Sequence, residues 1–124
     1  MKLTIPGTLP TLNEIIDASK SHWSVYREMK ETYTQLVAWE VIRQKIPNLG
    51  YADFEILWIM PNKREDKDNI QAGQKFIFDG IVEAGRWKND GWKQIGKVNH
   101  DFAIDKHNPR VEIEIIEIKE VESA

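Results

Sequence analysis

The sequence predicts an α+β fold in one domain: a small mixed β-sheet packed by two main helices, in the order β-α-β-α-β-β. Three observations lead there. Two long stretches carry apolar residues at helical spacing, and four shorter ones favour strands. A chain of 124 residues builds one modest core and is too short for two. A hydrophobic content of 41% with 30% charged residues is ordinary globular composition, which sets aside fibrous and disordered classes.

Taken in order, Lys2 to Ile5 reads as a first strand, stopped by Pro6-Gly7. Pro10 prolongs a loop, where Asn13 is expected to close an Asx-turn or cap a helix. Val25, Met29, Leu36, Val37, Val41 and Ile46 fall near helical spacing until Pro47, so a long amphipathic helix is expected from Ser24 to Lys45. Tyr33 and Trp39 lie within it as core or dimer contacts, and His22-Trp23 reads as a cap and loop before it. Asp53 to Met60 is an apolar, β-favouring run closed by Pro61. A second helix is expected from Asn69 to Ala84, with Ile70, Ile77, Phe78, Ile81 and Ala84 towards the core. Gly73 inside it costs about 1 kcal/mol relative to alanine, and Gly85 fits its C-cap. Val98, His100, Phe102 and Ile104 alternate as a third strand, with His100 a hydrogen-bonded structural residue on the apolar side. After Asn108-Pro109, Val111, Ile113 and Ile115 alternate with Glu112 and Glu114, and Ile115-Ile116 is expected to break register as a bulge.

Several function classes drop out on composition. With no cysteine there is no disulfide and no thiolate metal site. No apolar run approaches the ~20 residues that span a bilayer, and MKLTIPGTLP lacks a signal-peptide core, so no membrane partner and cytoplasmic residence are expected. A net charge of −3 counts against an indiscriminate nucleic-acid binder. The charge is uneven, however. Glu112, Glu114, Glu117, Glu120 and Glu122 crowd the last stretch, whereas eight basic residues face six acidic ones between Asn62 and Lys97.

That basic-leaning stretch holds the candidate site. Asp66 and Asp68 follow the second strand, at the end where α/β sheets tend to hold ligands. Asp68, Lys75 and Asp79 stand 7 and 4 residues apart, one stripe of a continuous helix. Asp90 lies in the following loop. Hard divalent cations take oxygen ligands, and magnesium keeps water positions that a substrate phosphate can fill. Asp66, Asp68 and Asp90 suit such a shell, with Lys75 balancing charge on a phosphodiester. An acidic helix start followed by an Asn-Asp-Gly turn accounts for the same residues without any site.

The motif D-x-D-N at Asp66, Asp68 and Asn69, then Lys75 and Asp79, then Gly85, Trp87 and Asp90, resembles the RusA-type Holliday-junction resolvases. Only about 30 residues are distinctive, though Leu9 to Asn13 extends a weaker likeness towards the N-terminus. The resemblance implies a magnesium-dependent endodeoxyribonuclease that acts on four-way junctions as a homodimer, one nick per subunit. It implies Asp66, Asp68 and Asp90 as metal ligands, Lys75 as a catalytic cation, and Asp79, Asn69 and Asn13 in support. Lys63, Arg64, Lys67, Arg86 and Lys88 are the expected DNA contacts. The chain departs from the family in about three extra residues around Ala72-Gly73-Gln74, in Asn89 where a second aspartate is common, and in Glu65 where a basic residue is common. A non-catalytic module that binds branched DNA or a recombination protein is the alternative.

Overall fold

The computed structural model describes residues 1–118, so Glu120 and Glu122 of the acidic tail lie outside the described residues. Alternating apolar side chains build four strands: β1 (Lys2–Pro6), β2 (Ala52–Met60), β3 (Ile95–Ile104) and β4 (Arg110–Glu117). They form one mixed sheet in the order β1-β4-β2-β3. β4 pairs antiparallel with β1 and β2, while β2 and β3 run parallel. Between them lie α1 (Leu12–Lys20), α2 (Trp23–Arg43), α3 (Lys67–Gln71) and α4 (Gln74–Glu83). The α+β class and the sheet match the expectation; the helix expected from Ser24 to Lys45 is α2, the one expected from Asn69 to Ala84 is divided into α3 and α4, and α1 is additional.

Burial sorts the sheet into two faces. Leu3, Ile5, Phe54, Ile56, Trp58, Val111, Ile113 and Ile115 are buried and pack with Val37 and Val41 of α2 and Phe76, Ile77 and Ile81 of α4 in one core. The opposite face carries Lys2, Glu55, Leu57, Asn99, Asp101, Glu112 and Glu114 along a shallow groove. Phosphate binding needs the reverse sign of charge there, so this face does not suit DNA.

Three differences from the sequence reading have physical causes. The loop expected around Asn13 is the helix α1. Thr11 is its N-cap, accepting from the Glu14 N–H while the Glu14 carboxylate accepts from the Thr11 N–H at 3.2 Å, a complete capping box. The expected Asn69–Ala84 helix breaks at Ala72-Gly73, where tight i→i+3 bonds such as Gly73 N–H to the Ile70 carbonyl replace the regular ladder. A Cβ at Gly73 would stand 3.0 Å from the Leu9 Cβ and 3.2 Å from the Trp58 ring, a tight approach that glycine relieves. Lastly, Ile115-Ile116 makes no bulge, since both pair in continuous register with Phe54 and Asp53; the irregularity lies between Ala52 and Phe54 against β3.

The two sheet edges are treated differently. At β1 the Gln44 side chain acts as a surrogate strand: its Oε1 accepts from the Thr4 N–H at 2.9 Å and its Nε2 donates to the Thr4 carbonyl at 2.7 Å. Gln44 also donates at 2.8 Å to the buried Glu40 carboxylate, which Arg43 clasps at 2.6 and 2.9 Å. At β3 no strand among the described residues pairs with the outer edge. His100 sits inside this strand as expected, its Nδ1 accepting from the Trp58 indole N–H at 2.9 Å.

Candidate active site

The chain leaves β2 at Met60, turns at Pro61 and runs exposed from Asn62 to Asp68 before Asn69 and Ile70 bury again. Asp66 takes the N-cap position of α3, yet its carboxylate makes no capping hydrogen bond and stays free. Asp68 lies in the first turn, accepting only from its neighbour's N–H, that of Asn69, at 3.0 Å. Both carboxylates line one groove together with Met60, Ile70 and the β3 residues Phe102, Ala103 and Ile104. Lys63 and Lys67 line it too, and the Lys67 amine rests 5.5 Å from the Phe102 ring centroid. Arg64 is exposed on the same loop.

Asn69 holds this arrangement in place. It is 8% exposed, its amide donates to the Glu65 carboxylate, and its Oδ1 accepts from the Asn13 N–H at 2.9 Å. The start of α1 is thereby tied to the start of α3 beneath the two aspartates. Glu65, which stands where a basic residue was expected, therefore has a bracing role within the loop. The signal for the other half of the brace was the Thr11-x-x-Glu14 capping box, which fixes where α1 begins.

Lys75 opens α4 just past the break, with its amine 3.5 Å from the Asp79 carboxylate one turn on. This is an ion pair without a hydrogen bond, since the same Asp79 oxygen is buried and otherwise unpartnered. The i,i+4 relation of Lys75 and Asp79 is thus as the spacing predicts, whereas Asp68 stands on a separate helix and the single stripe of three is broken.

Asp90 is elsewhere. It lines a shallow surface with Gly91, Trp92 and Ile95, at the beginning of β3. Because β2 and β3 run parallel, with Ala52 beside Ile95 and Met60 beside Ile104, the Asp66–Asp68 groove and Asp90 lie at opposite ends of the sheet. At ~3.3 Å per residue along β3 that is about 30 Å. Among the described residues no three His, Asp or Glu side chains gather closely enough to hold a metal ion. The expectation that one folded chain collects Asp66, Asp68 and Asp90 around one cavity is corrected accordingly.

Two further expected residues divide in the same way. Arg86 is committed to the fold, donating to the Ile46 carbonyl at 2.7 Å and the Ala84 carbonyl at 3.2 Å, and so is not a free cation for DNA. Lys88 is exposed. Trp87 between them is buried against Phe54 and Phe78, and its indole donates to the Gly50 carbonyl at 3.0 Å. Its place in the motif is structural.

No helix among the described residues is long and apolar enough to cross a membrane. Compared with known families, residues 6–116 match the model described as endodeoxyribonuclease RusA. A search of the curated proteins found no match.

Proposed function

The chain belongs to the endodeoxyribonuclease RusA family, and from that premise we propose that it is a magnesium-dependent nuclease that resolves four-way DNA junctions by paired nicks, in the cytoplasm. The observation that carries this reading is the pair of uncommitted carboxylates, Asp66 and Asp68, in a lysine-lined groove at the end of the parallel strands. This donor set fits magnesium, which takes one or two protein carboxylates and leaves its other positions to water and phosphate.

Asp66 and Asp68 would hold the ion, and Asn69 fixes the helix start that presents them. The ion supplies Lewis acidity at a phosphoryl oxygen and lowers the pKa of the attacking water. Lys63, Arg64 and Lys67 draw the phosphate backbone to the groove mouth. Lys75, steadied by Asp79, offsets charge that builds on the phosphate as the bond breaks.

Asp90 enters as the third carboxylate from a second subunit. Both surfaces in question border β3, whose outer edge pairs with no strand among the described residues, and they do so at its two ends. Two copies paired antiparallel along that edge by a two-fold axis set each Asp90 loop beside the partner's Asp66 and Asp68. The same axis suits a junction whose two cut strands are related by two-fold symmetry. β4 offers no edge for such pairing, since it lies between β1 and β2.

The test is cleavage of a synthetic four-way junction, a fork and a linear duplex, each with magnesium or with EDTA. Magnesium-dependent, symmetrically placed nicks in the junction are expected. Junction binding without nicks under any divalent cation would favour the non-catalytic module instead.

A further inference from the structure

One large apolar side chain stands apart from everything the fold requires. Trp92 is 97% exposed at the tip of the loop before β3. The loop around it is laced: the Gly91 N–H donates to the Asn89 Oδ1 at 3.0 Å and the Gln94 Oε1 at 3.1 Å, and the Gly91 carbonyl accepts from the Gln94 and Ile95 N–H groups at 3.1 Å. The loop backbone is thus hydrogen-bonded on both sides of Trp92, and the indole projects from it into solvent. Exposed lysines flank it at Lys88, Lys93 and Lys97, with Asp90 the carboxylate alongside.

An indole left in water forgoes the stabilisation its burial would give. An exposed aromatic with exposed lysines close by in sequence matches single-stranded nucleic acid, where bases stack on the ring and lysines follow the backbone. Intact duplex offers no free base face inside its stack; a branch point does, because the bases at the crossover lose a neighbour. Phosphate is also the counter-charge that the three lysines lack among the described residues.

We propose that Trp92 stacks on a base exposed at the branch point, and so is the residue that selects branched over linear DNA. This rests on the junction-nuclease reading. It adds that recognition of the branch is a contact made by this side chain, next to Asp90, rather than by groove shape alone.

The experiment compares junction and linear duplex affinity in EDTA, so that binding is read without cleavage, for the native protein, Trp92→Ala and Trp92→Phe. Trp92→Ala is expected to lose about 10-fold or more in junction affinity, the scale of one lost base–aromatic stack, with duplex affinity unchanged. Trp92→Phe should keep most of the selectivity. 5-Iodouracil placed at the crossover should photo-crosslink to the peptide holding Trp92 and not from positions in the arms. Unchanged selectivity in Trp92→Ala overturns the proposal while leaving the nuclease reading intact. Equal losses on both DNAs, or a dimer that dissociates in sedimentation, would make the indole a general or a subunit contact and overturn it as well. A native protein with no preference for the junction sinks the nuclease reading itself.

Discussion

Gly80 is where α4, the helix that carries Lys75 and Asp79, comes against α2. Both Gly80 and Val37 are buried there. A Cβ added at Gly80 would lie 2.5 Å from the Val37 Cβ, nearer still to its Cγ1, and 3.1 Å from the Ala38 nitrogen. Carbon atoms rest at ~3.5–4.0 Å, so the helices must part by about 1 Å, and a Cβ fixed to the α2 backbone cannot swing aside. Overpacking of this kind costs ~1–3 kcal/mol, and the rigid neighbours place Gly80→Ala at the upper end. The better helix propensity of alanine returns ~1 kcal/mol, leaving a net loss of about 2 kcal/mol. Urea denaturation of Gly80→Ala, Val37→Ala and the double variant measures it. Val37→Ala removes the Cγ1 but keeps the Cβ, so Gly80→Ala should cost less in that background without becoming free. A Gly80→Ala protein as stable as the native one, or strictly additive losses, would refute the close approach of α2 and α4.

Two other outcomes follow from the site and the core. Asp68→Asn should keep junction binding while cleavage falls by more than ~100-fold, beyond the 10–100-fold of a lost supporting contact; cleavage at the native rate in a quenched-gel assay removes Asp68 from the site. His100 is held below its usual pKa of 6.5 by burial, and its Nδ1 already accepts from Trp58. The unfolded chain therefore binds the proton first, so stability is full above pH 6.5 and is lost as pH falls below it. Glu112, lowered mainly by its hydrogen bond from Lys2, and Asp105, lowered mainly by the His107 N–H, lose their contributions only below about pH 4.5 and 3.8, their ordinary values. Thermal melts should show a decline as pH falls below 6.5 that His100→Gln, an acceptor that does not titrate there, abolishes; an equal decline in both proteins assigns it elsewhere.

Strands could be read from the sequence because each buries one face, and period-two alternation in Leu3–Ile5, Phe54–Trp58 and Val111–Ile115 records that directly. Helices were harder where length or packing blurred the period. α1 is only nine residues, so its apolar stripe of Leu12, Ile15 and Ile16 spans little more than one turn, and its clearest boundary mark is the capping box of Thr11 and Glu14. The second helical region keeps helical backbone through Ala72 and Gly73, and the tightened turns between α3 and α4 fall where Trp58 and Leu9 come close, a tertiary approach that no local pattern records. The same holds for Arg86. Its charge suggested DNA, whereas its use depends on the carbonyls of Ile46 and Ala84 happening to converge, which no local pattern records.

The placement of Asp90 was deducible, and the reason also supplies a test. A strand, a helical crossover and a second strand parallel to the first return the chain to the end where it began. Asp68 follows β2 and Asp90 precedes β3, so a parallel β2–β3 pair sets them at opposite ends however near they stand in sequence. A site needing all three aspartates must then draw on two chains. Consider a dimer of one subunit with Asp66→Asn and Asp68→Asn and one with Asp90→Asn. If Asp90 acts across the interface, one of its two sites keeps a full set and the other has none. If Asp90 acts within its own chain, both sites are broken. Each variant alone should be inactive. Mixed in equal amounts and allowed to exchange, about half of the dimers are hybrids, with one working site apiece, so about a quarter of the native sites should return. The product should be singly nicked junctions rather than resolved ones. A mixture that stays inactive although subunit exchange is shown by sedimentation of tagged copies would place the third ligand elsewhere and dismiss the β3 seam.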